Sequence, residues 1–189
     1  DGHDDGQRPL VIVLPGIMGT HLEKRRANQS PGAGDRVWFD PWQLVWGGLE
    51  QLELGGRRAS GVRPESLFQM FYGDLCEHLG ANFQAMPFPY DWRQPIQDAA
   101  DRLAAVVEKQ RMQHAGRTVH LLAHSMGGLV ARCMIASHPD TWSAMAAGGG
   151  RLVMLGTPNN GSHAMVASLL GKADSVRQLA RIDVRHTLQ

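Results

Sequence analysis

The sequence predicts an α/β fold with a doubly wound, mainly parallel sheet, and its 189 residues suit a single domain. Two apolar runs carry this prediction, because Leu10–Leu14 and Arg151–Leu155 have the pattern of strands that are buried on both faces. Each run ends in a Gly/Pro turn, at Pro15-Gly16 and at Gly156-Thr157-Pro158. Helix-like runs alternate with the strand-like runs, which is typical of parallel strands joined by crossover helices.

Periodicity and stop signals place the elements of the first half. A helix is predicted over about 65–79, ending at Gly80, and its inward face is predicted as Leu67, Met70, Phe71, Leu75 and Leu79. A short strand is predicted from Phe83 to Phe88. Pro95 begins a second helix that has ended by Gly116, with an inward face of Ile96, Ala100, Leu103 and Val107.

The second half continues the alternation. A strand over 118–123 precedes a helix over 127–137, which is predicted to stop at His138-Pro139. Gly148–Gly150 form a turn before the last predicted strand. Two short helices are predicted beyond it, over about 162–170 and 174–182.

Two segments differ from this pattern. Residues 1–8 are polar and rich in Gly and Asp, and we expect them to be disordered. Residues 21–61 form an excursion from the core fold, with many glycines, several charges and most of the tryptophans. The sequence leaves open whether its apolar side chains form an exposed patch or pack on the core: Trp38, Phe39, Trp42, Leu44, Val45 and Trp46.

Composition excludes several function classes. The formal net charge of +1, with scattered basic residues, predicts no nucleic-acid partner. The histidines do not cluster with carboxylates at ligand spacing, so we expect no metal, and no phosphate loop or cofactor is predicted. Cys76 and Cys133 are predicted to be buried free thiols.

The most informative motif for catalysis is the segment Ala123-His124-Ser125-Met126-Gly127-Gly128. A strand-like run precedes it and a helix-like run follows it, which is the context of a nucleophile elbow. Small residues at Ala123 and Gly127 allow the tight turn that lifts the Ser125 hydroxyl above the sheet. The Met126 N–H, at the start of a helix, is then aimed at the reacting carbonyl.

Four segments are predicted to meet at one edge of the sheet. They are the 15–20 loop, the 89–93 turn, the elbow at Ser125 and the 156–162 loop, and each follows the carboxyl end of a strand. Ligands of doubly wound sheets bind beyond this edge, so the sequence predicts a single active site there. We interpret Tyr90-Asp91-Trp92-Arg93 as a packed turn rather than a catalytic group, and His124 as structural.

Four blocks resemble the lecithin:cholesterol acyltransferase-type lipases, a branch of the α/β-hydrolases. They are Val11–Thr20, Pro89-Tyr90-Asp91-Trp92-Arg93, Ala123–Gly128 and Leu155–Ser162, in matching order across about residues 9–165. The resemblance implies an α/β-hydrolase fold and ester hydrolysis or acyl transfer on lipid-like substrates. If the tryptophans of residues 21–61 form an exposed patch, they would help such an enzyme bind a lipid–water interface. It also implies that residues 21–61 are a lid or a membrane-facing excursion.

The resemblance assigns roles by position. Ser125 is the implied nucleophile, and the backbone N–H groups of Ile17 and Met126 form the implied oxyanion hole. The residues expected to contact substrate are Met18, Thr157, Pro158, Asn159, Trp42 and Trp46.

The chain departs from the family pattern because no catalytic histidine and acid are found at the expected places. A serine nucleophile needs a histidine oriented by an acid, and α/β-hydrolases carry these in the order Ser, acid, His, after later strands. Asp183 and His186 have this order but lie in a helical pattern. We therefore expect a fold that is incomplete on its C-terminal side, with the acid and histidine outside the chain. Its uncovered sheet edge would favour association with another chain.

Two other function classes stay open at this stage. One is a non-catalytic lipid-binding or interaction module that retains the fold, which the missing acid and histidine favour and the intact elbow opposes. The other is a serine peptidase or amidase on the same fold. Reactivity of Ser125 separates the first from an enzyme, and the Tyr-Asp-Trp-Arg block argues against the second.

Overall fold

The computed structural model describes residues 8–25, 30, 32–38, 61–163, 166–167 and 170. The chain divides into two compact units, one of residues 1–20 with 66–157 and one of residues 21–65 with 158–189. The described strands are β1 Leu10–Leu14, β2 Thr20–Lys24, β3 Asp35–Trp38, β4 Val62–Leu67, β5 Gln84–Pro87, β6 Val119–His124 and β7 Leu152–Leu155. The described helices are α1 Gln69–Gly80, α2 Ile96–Gln113, α3 Met126–Ser137 and α4 Pro139–Ala147.

The first unit is built on a four-stranded sheet in the order β5-β1-β6-β7. All three pairings are parallel, and β1 lies between β5 and β6 in the middle of the sheet. Every residue of β1 is buried, as its unbroken apolar sequence predicts. The predicted mainly parallel α/β fold is therefore confirmed.

Helices cover both faces of this sheet. Alternate residues of β1 point to opposite faces, so that Leu10, Ile12 and Leu14 join one buried cluster and Val11 and Val13 join another. The first cluster includes buried side chains of α2, α3 and α4, and the second includes side chains of α1. The two clusters account for the doubly wound arrangement that the sequence predicts.

The second unit contains a three-stranded sheet in the order β3-β2-β4, with β2 and β3 antiparallel. Glu23 of β2 is 1% exposed, and its Oε2 accepts hydrogen bonds from the Gly32 and Gly34 N–H groups at 3.1 Å. Trp38 is buried in β3. For this residue of the excursion, the alternative of an exposed patch is therefore wrong. Phe39, Trp42, Leu44, Val45 and Trp46 lie outside the described residues, as do residues 1–7 and the predicted helix over 174–182.

The first predicted helix has a different start and a different inward face. Val62–Leu67 is the strand β4, so that α1 begins at Gln69 rather than near residue 65. Met70 and Phe71, predicted to face inward, are 85% and 68% exposed. Leu67, Leu75 and Leu79 pack inward as predicted, and Phe68, Tyr72 and Cys76 pack inward where Met70 and Phe71 were expected.

Two further features of the first unit differ from the sequence predictions. His138-Pro139 ends α3, but Pro139 is also the first residue of the unpredicted helix α4, a position that proline favours. The predicted buried strand β7 exposes Val153, Met154 and Leu155, because it is the outermost strand of the described sheet. Association through this edge stays a prediction.

The cysteines and the helices complete the description. Cys76 and Cys133 are free, as predicted, but both are half-buried rather than fully buried. Burial nevertheless raises the pKa of the Cys76 thiol. Among the described helices, none combines the length and the apolar composition that crossing a membrane requires.

Candidate active site

Ser125 lies in a sharp turn between β6 and α3. Its backbone has φ 51° and ψ −121°, which is outside the regions that L-residues ordinarily occupy. The Ser125 N–H donates to the Leu155 carbonyl of β7 at 2.8 Å, and the Ser125 carbonyl accepts from the Gly128 N–H at 3.1 Å. This is the strand–turn–helix geometry that the sequence predicts for a nucleophile elbow, and it leaves the Ser125 side chain half-buried.

The glycines after Ser125 are required by close packing. A Cβ on Gly127 would lie 2.7 Å from the carbonyl oxygens of both Leu14 and Pro15. A Cβ on Gly128 would lie 2.8 Å from the Cβ of Thr157. The start of α3 can therefore approach β1 and the end of β7 only with glycine at these positions.

The 15–20 loop follows β1 and reaches the elbow. A Cβ on Gly16 would lie 3.1 Å from the Ser125 Cβ and 3.2 Å from the His124 Nδ1, so the loop and the elbow are in contact. Pro15 and Gly16 are buried, whereas Ile17 and Met18 are 37% and 44% exposed. The structure thus brings the residue before Ile17 against Ser125.

The backbone N–H groups of Ile17 and Met126 are the two donors that the resemblance implies. The hydrogen bonds described within the 15–20 loop involve the N–H groups of Gly16 and Gly19, and among the described residues the Ile17 N–H has no acceptor. Met126 is the first residue of α3, where helix geometry leaves the N–H without an intrahelical acceptor. Both groups therefore have donor capacity for a developing oxyanion.

Tyr72 is a residue of this region that the sequence reasoning missed. Its hydroxyl accepts a hydrogen bond from the Gly16 N–H at 2.8 Å and lies 2.9 Å from the His124 Nδ1. Burial raises the pKa of the Tyr72 phenol. The sequence did contain a signal for this residue. The helical spacing of Phe68, Tyr72, Leu75 and Leu79 predicts that Tyr72 faces inward, with its polar hydroxyl at the end of a buried ring.

The Tyr-Asp-Trp-Arg segment is a packed turn, as the sequence indicates. Tyr90 is 1% exposed, and its hydroxyl donates to the Pro15 carbonyl at 2.8 Å. The Trp92 Nε1–H donates to the Thr20 carbonyl at 3.2 Å. Asp91 and Arg93 form a two-pronged ion pair, with 2.8 Å from Nε to Oδ1 and 2.6 Å from Nη2 to Oδ2. The turn therefore holds both ends of the 15–20 loop.

The remaining predicted site residues fall in different places. Thr157 is half-buried at the end of β7, and among the described residues its buried Oγ1 has no hydrogen-bond partner. Pro158 and Asn159 belong to the second unit, where Pro158 is half-buried in a turn closed by the Gly161 N–H. Trp42, Trp46, Asp183 and His186 lie outside the described residues.

Comparison with known proteins identifies the family of the chain. The family model for lecithin:cholesterol acyltransferase matches residues 64–188, which include the Tyr-Asp-Trp-Arg turn and the elbow. A curated relative, lecithin-cholesterol acyltransferase-like 4 of Arabidopsis thaliana, is 25% identical over 166 residues, covering 77% of this chain. The chain spans only 30% of that relative's length.

A solved lipase structure also aligns with the chain. The mature lipase of Bacillus licheniformis aligns with all of this chain and with 64% of its own, at 18% identity and a TM-score of 0.45. The family match covers well over half of the 189 residues. The chain therefore belongs to the lecithin:cholesterol acyltransferase family.

Proposed function

We propose that the chain carries the nucleophile and the oxyanion hole of a serine enzyme that cleaves or transfers the acyl group of lipid-like esters. One observation carries the proposal: Ser125 has φ 51° and ψ −121°, directly before a helix and against the 15–20 loop. A serine in this backbone geometry presents its hydroxyl above the sheet edge. The two amides of Ile17 and Met126 are the proposed donors to the oxyanion.

The proposed reaction proceeds through an acyl-enzyme. The Ser125 oxygen attacks the ester carbonyl carbon while a base accepts the hydroxyl proton. The carbonyl oxygen becomes negative, and the Ile17 and Met126 N–H groups stabilise that charge, with help from the dipole of α3. The tetrahedral intermediate then expels the alcohol, which takes the proton from the base. Water or a second alcohol attacks the acyl-enzyme and returns Ser125 to its free form.

Among the described residues, no histidine is hydrogen-bonded to the Ser125 hydroxyl. Asp183 and His186 are the candidates within the chain, and the alternative is an acid and a histidine from outside it. A histidine that accepts the Ser125 proton is required for acylation at neutral pH, so the two alternatives predict different effects of replacing His186. Replacing His186 by Gln would abolish acylation only if the base lies within the chain.

Lipid-like esters are the proposed substrates for two reasons. The relative matched over most of this chain is a lecithin-cholesterol acyltransferase-like protein. The residues that follow the buried Gly16 are apolar and exposed, with Ile17 at 37% and Met18 at 44%. Apolar side chains next to the nucleophile suit an acyl chain better than a polar substrate.

Labelling with a fluorophosphonate tests the nucleophile. The expected adduct lies on Ser125, is located by mass spectrometry, and disappears in Ser125→Ala. Ser137→Ala is the matched control, because the Ser137 hydroxyl only donates to the Cys133 carbonyl within α3. A folded chain that stays unlabelled lacks an activated Ser125, which would overturn the proposal for this chain and favour a non-catalytic module or a fragment without its base.

Competition between acceptors and substrates tests the reaction class. We expect a long-chain ester to acylate Ser125, and the corresponding amide to react far more slowly. Added alcohol would shift the product from fatty acid to ester if the chain supports transfer. Faster reaction with the amide would overturn the proposal in favour of a peptidase or amidase.

A further inference from the structure

A single peptide group, Pro15–Gly16, is hydrogen-bonded at both ends by tyrosine side chains. Its N–H donates to the Tyr72 hydroxyl at 2.8 Å, and its C=O accepts from the Tyr90 hydroxyl at 2.8 Å. The chain has two tyrosines, and both are used here. We infer that Tyr72 and Tyr90 are positioning residues that fix this peptide plane and thereby aim the Ile17 N–H, an inference that rests on the proposed function.

The peptide needs this restraint because residue 16 is glycine. A Cβ at Gly16 would lie 3.1 Å from the Ser125 Cβ, so that the close approach of the loop to the elbow disfavours larger residues. Glycine, however, has the greatest backbone freedom of any residue. The Ile17 N–H belongs to the next peptide plane, and the two dihedrals of Gly16 set its direction. Holding the preceding plane at both ends removes much of that freedom.

The two tyrosines are themselves held by packing on opposite faces of the sheet. Tyr72 is 5% exposed in the cluster that contains Val11 and Val13. Tyr90 is 1% exposed in the cluster that contains Leu10 and Phe88. Burial raises the pKa of both phenols, and the neighbouring Tyr72 further raises the pKa of Tyr90. Both hydroxyls therefore keep the proton that a donor requires.

Tyr72 also joins the loop to the elbow. Its oxygen accepts from Gly16 and lies 2.9 Å from the Nδ1 of His124, so its own proton can be donated to that nitrogen. His124 directly precedes Ser125. Gly19 makes the contact possible, since a Cβ there would lie 2.9 Å from the Tyr72 oxygen. One hydroxyl thus connects the residue before Ile17 with the residue before the nucleophile.

A purely structural role makes a different prediction. Pro15 and Gly16 are buried, and a buried peptide group needs partners for its N–H and C=O. Were this the whole role, loss of a hydroxyl would lower stability and leave the chemistry of the folded chain unchanged. A positioning role requires that the limiting rate of Ser125 acylation or phosphonylation falls in chains that remain folded.

The experiment compares Tyr72→Phe, Tyr90→Phe and the double variant with wild type and with Ser137→Ala. The limiting rate of fluorophosphonate reaction at Ser125 and its half-saturating concentration are measured below the melting transition of every variant. Amide hydrogen exchange at Gly16 is followed by NMR. The phosphonyl oxygen occupies the position of the oxyanion, so formation of the phosphonyl adduct depends on the same Ile17 and Met126 N–H donors.

We expect each Phe variant to lower the limiting rate by about 10-fold to 100-fold, because misplacement by about 1 Å has effects of this size. The half-saturating concentration should stay unchanged, Gly16 should exchange faster in Tyr72→Phe, and Ser137→Ala should match wild type. Wild-type limiting rates in folded Phe variants would overturn the positioning role and leave the proposed function standing. An unlabelled wild type would overturn both.

Discussion

The side chain of Thr157 occupies the space that a Cβ on Gly128 would fill. A Cβ built on Gly128 would lie 2.7 Å from the Thr157 Cγ2 and 2.8 Å from its Cβ. Thr157 follows β7, and Gly128 lies in the first turn of α3, directly after the elbow. The position of Ser125, the proposed nucleophile, therefore depends on the packing of the Thr157 side chain against the start of α3.

Gly128→Ala should lower the free energy of unfolding by about 1–3 kcal/mol, the usual effect of overpacking. Thr157→Ala should restore part of the loss, because it removes two of the three atoms that collide with the new methyl group. Gly80→Ala is the control, since a Cβ at the end of α1 meets nothing within 4 Å and should be neutral or stabilising. Urea unfolding measures all three variants. Equal losses at Gly128 and Gly80 would contradict the packing argument.

Thr157→Val should leave the free energy of unfolding unchanged or raise it. Among the described residues the Thr157 Oγ1 is buried without a hydrogen-bond partner, and valine replaces that hydroxyl by a methyl group of similar shape. Thr20→Val is the matched contrast, because the fully buried Thr20 Oγ1 accepts a long hydrogen bond from the Tyr90 N–H at 3.4 Å.

For Thr20→Val we expect a loss of about 1–3 kcal/mol, because the Tyr90 N–H stays buried without its acceptor. Thermal and urea unfolding compare the two valine variants. A larger loss at Thr157 than at Thr20 would mean that the Thr157 hydroxyl has a partner. A loss of activity in a stable Thr157→Val would support its predicted contact with substrate.

The ion pair of Asp91 and Arg93 should be strongly coupled. Its side chains are 11% and 5% exposed, and removing one partner of a buried pair typically costs about 3–5 kcal/mol. We expect Asp91→Ala and Arg93→Ala each to lower the free energy of unfolding by this amount. The double variant should lose much less than the sum of the two single losses. The half-exposed pair of Glu108 and Arg111, at 3.5 Å, should give a coupling below about 0.5 kcal/mol. Additive effects at Asp91 and Arg93 would contradict the prediction.

The two tyrosines should ionise late on alkaline titration. An ordinary phenol has a pKa of about 10, and burial raises the pKa of Tyr72 and Tyr90 in the folded chain. The folded state therefore binds more protons than the unfolded state above about pH 10, and stability falls as the pH rises through that range. Below about pH 10 the contribution is fully present.

Phenolate absorbance after a rapid pH jump measures this directly. We expect the phenolate signal to grow with the rate of unfolding rather than within the mixing time. The chain offers a clean signal because it has two tyrosines, and the amplitude in Tyr72→Phe should fall by half. A full signal at once, in a chain whose circular dichroism is unchanged, would contradict the burial of both hydroxyls.

Local features of this protein were predictable from the sequence. The five apolar residues of β1 specify a strand buried on both faces, and the small residues around Ser125 specify a tight turn. Both patterns depend on neighbours within a few positions. The start of α1 was not predictable in this way, because Leu67 fits a helical face and a strand equally well.

The support of the site could not be predicted, because it depends on contacts between distant residues. The Gly16 N–H and the Tyr72 hydroxyl are 56 positions apart, and the Pro15 carbonyl and the Tyr90 hydroxyl are 75 apart. Periodicity can turn Tyr72 inward, but only the fold brings its hydroxyl to one particular peptide group. Tyr90 was correctly expected to pack in a turn, whereas its acceptor was not foreseen.

The backbone of Ser125 also bears on how this sequence can change over generations. A non-glycine residue at φ 51° and ψ −121° stores about 1–3 kcal/mol of strain, which glycine would release. Selection for stability alone would therefore favour Ser125→Gly. A lineage that no longer used the hydroxyl would gain stability by losing it. If Ser125 is the nucleophile, as proposed, the strained serine is retained only while its reactivity is under selection.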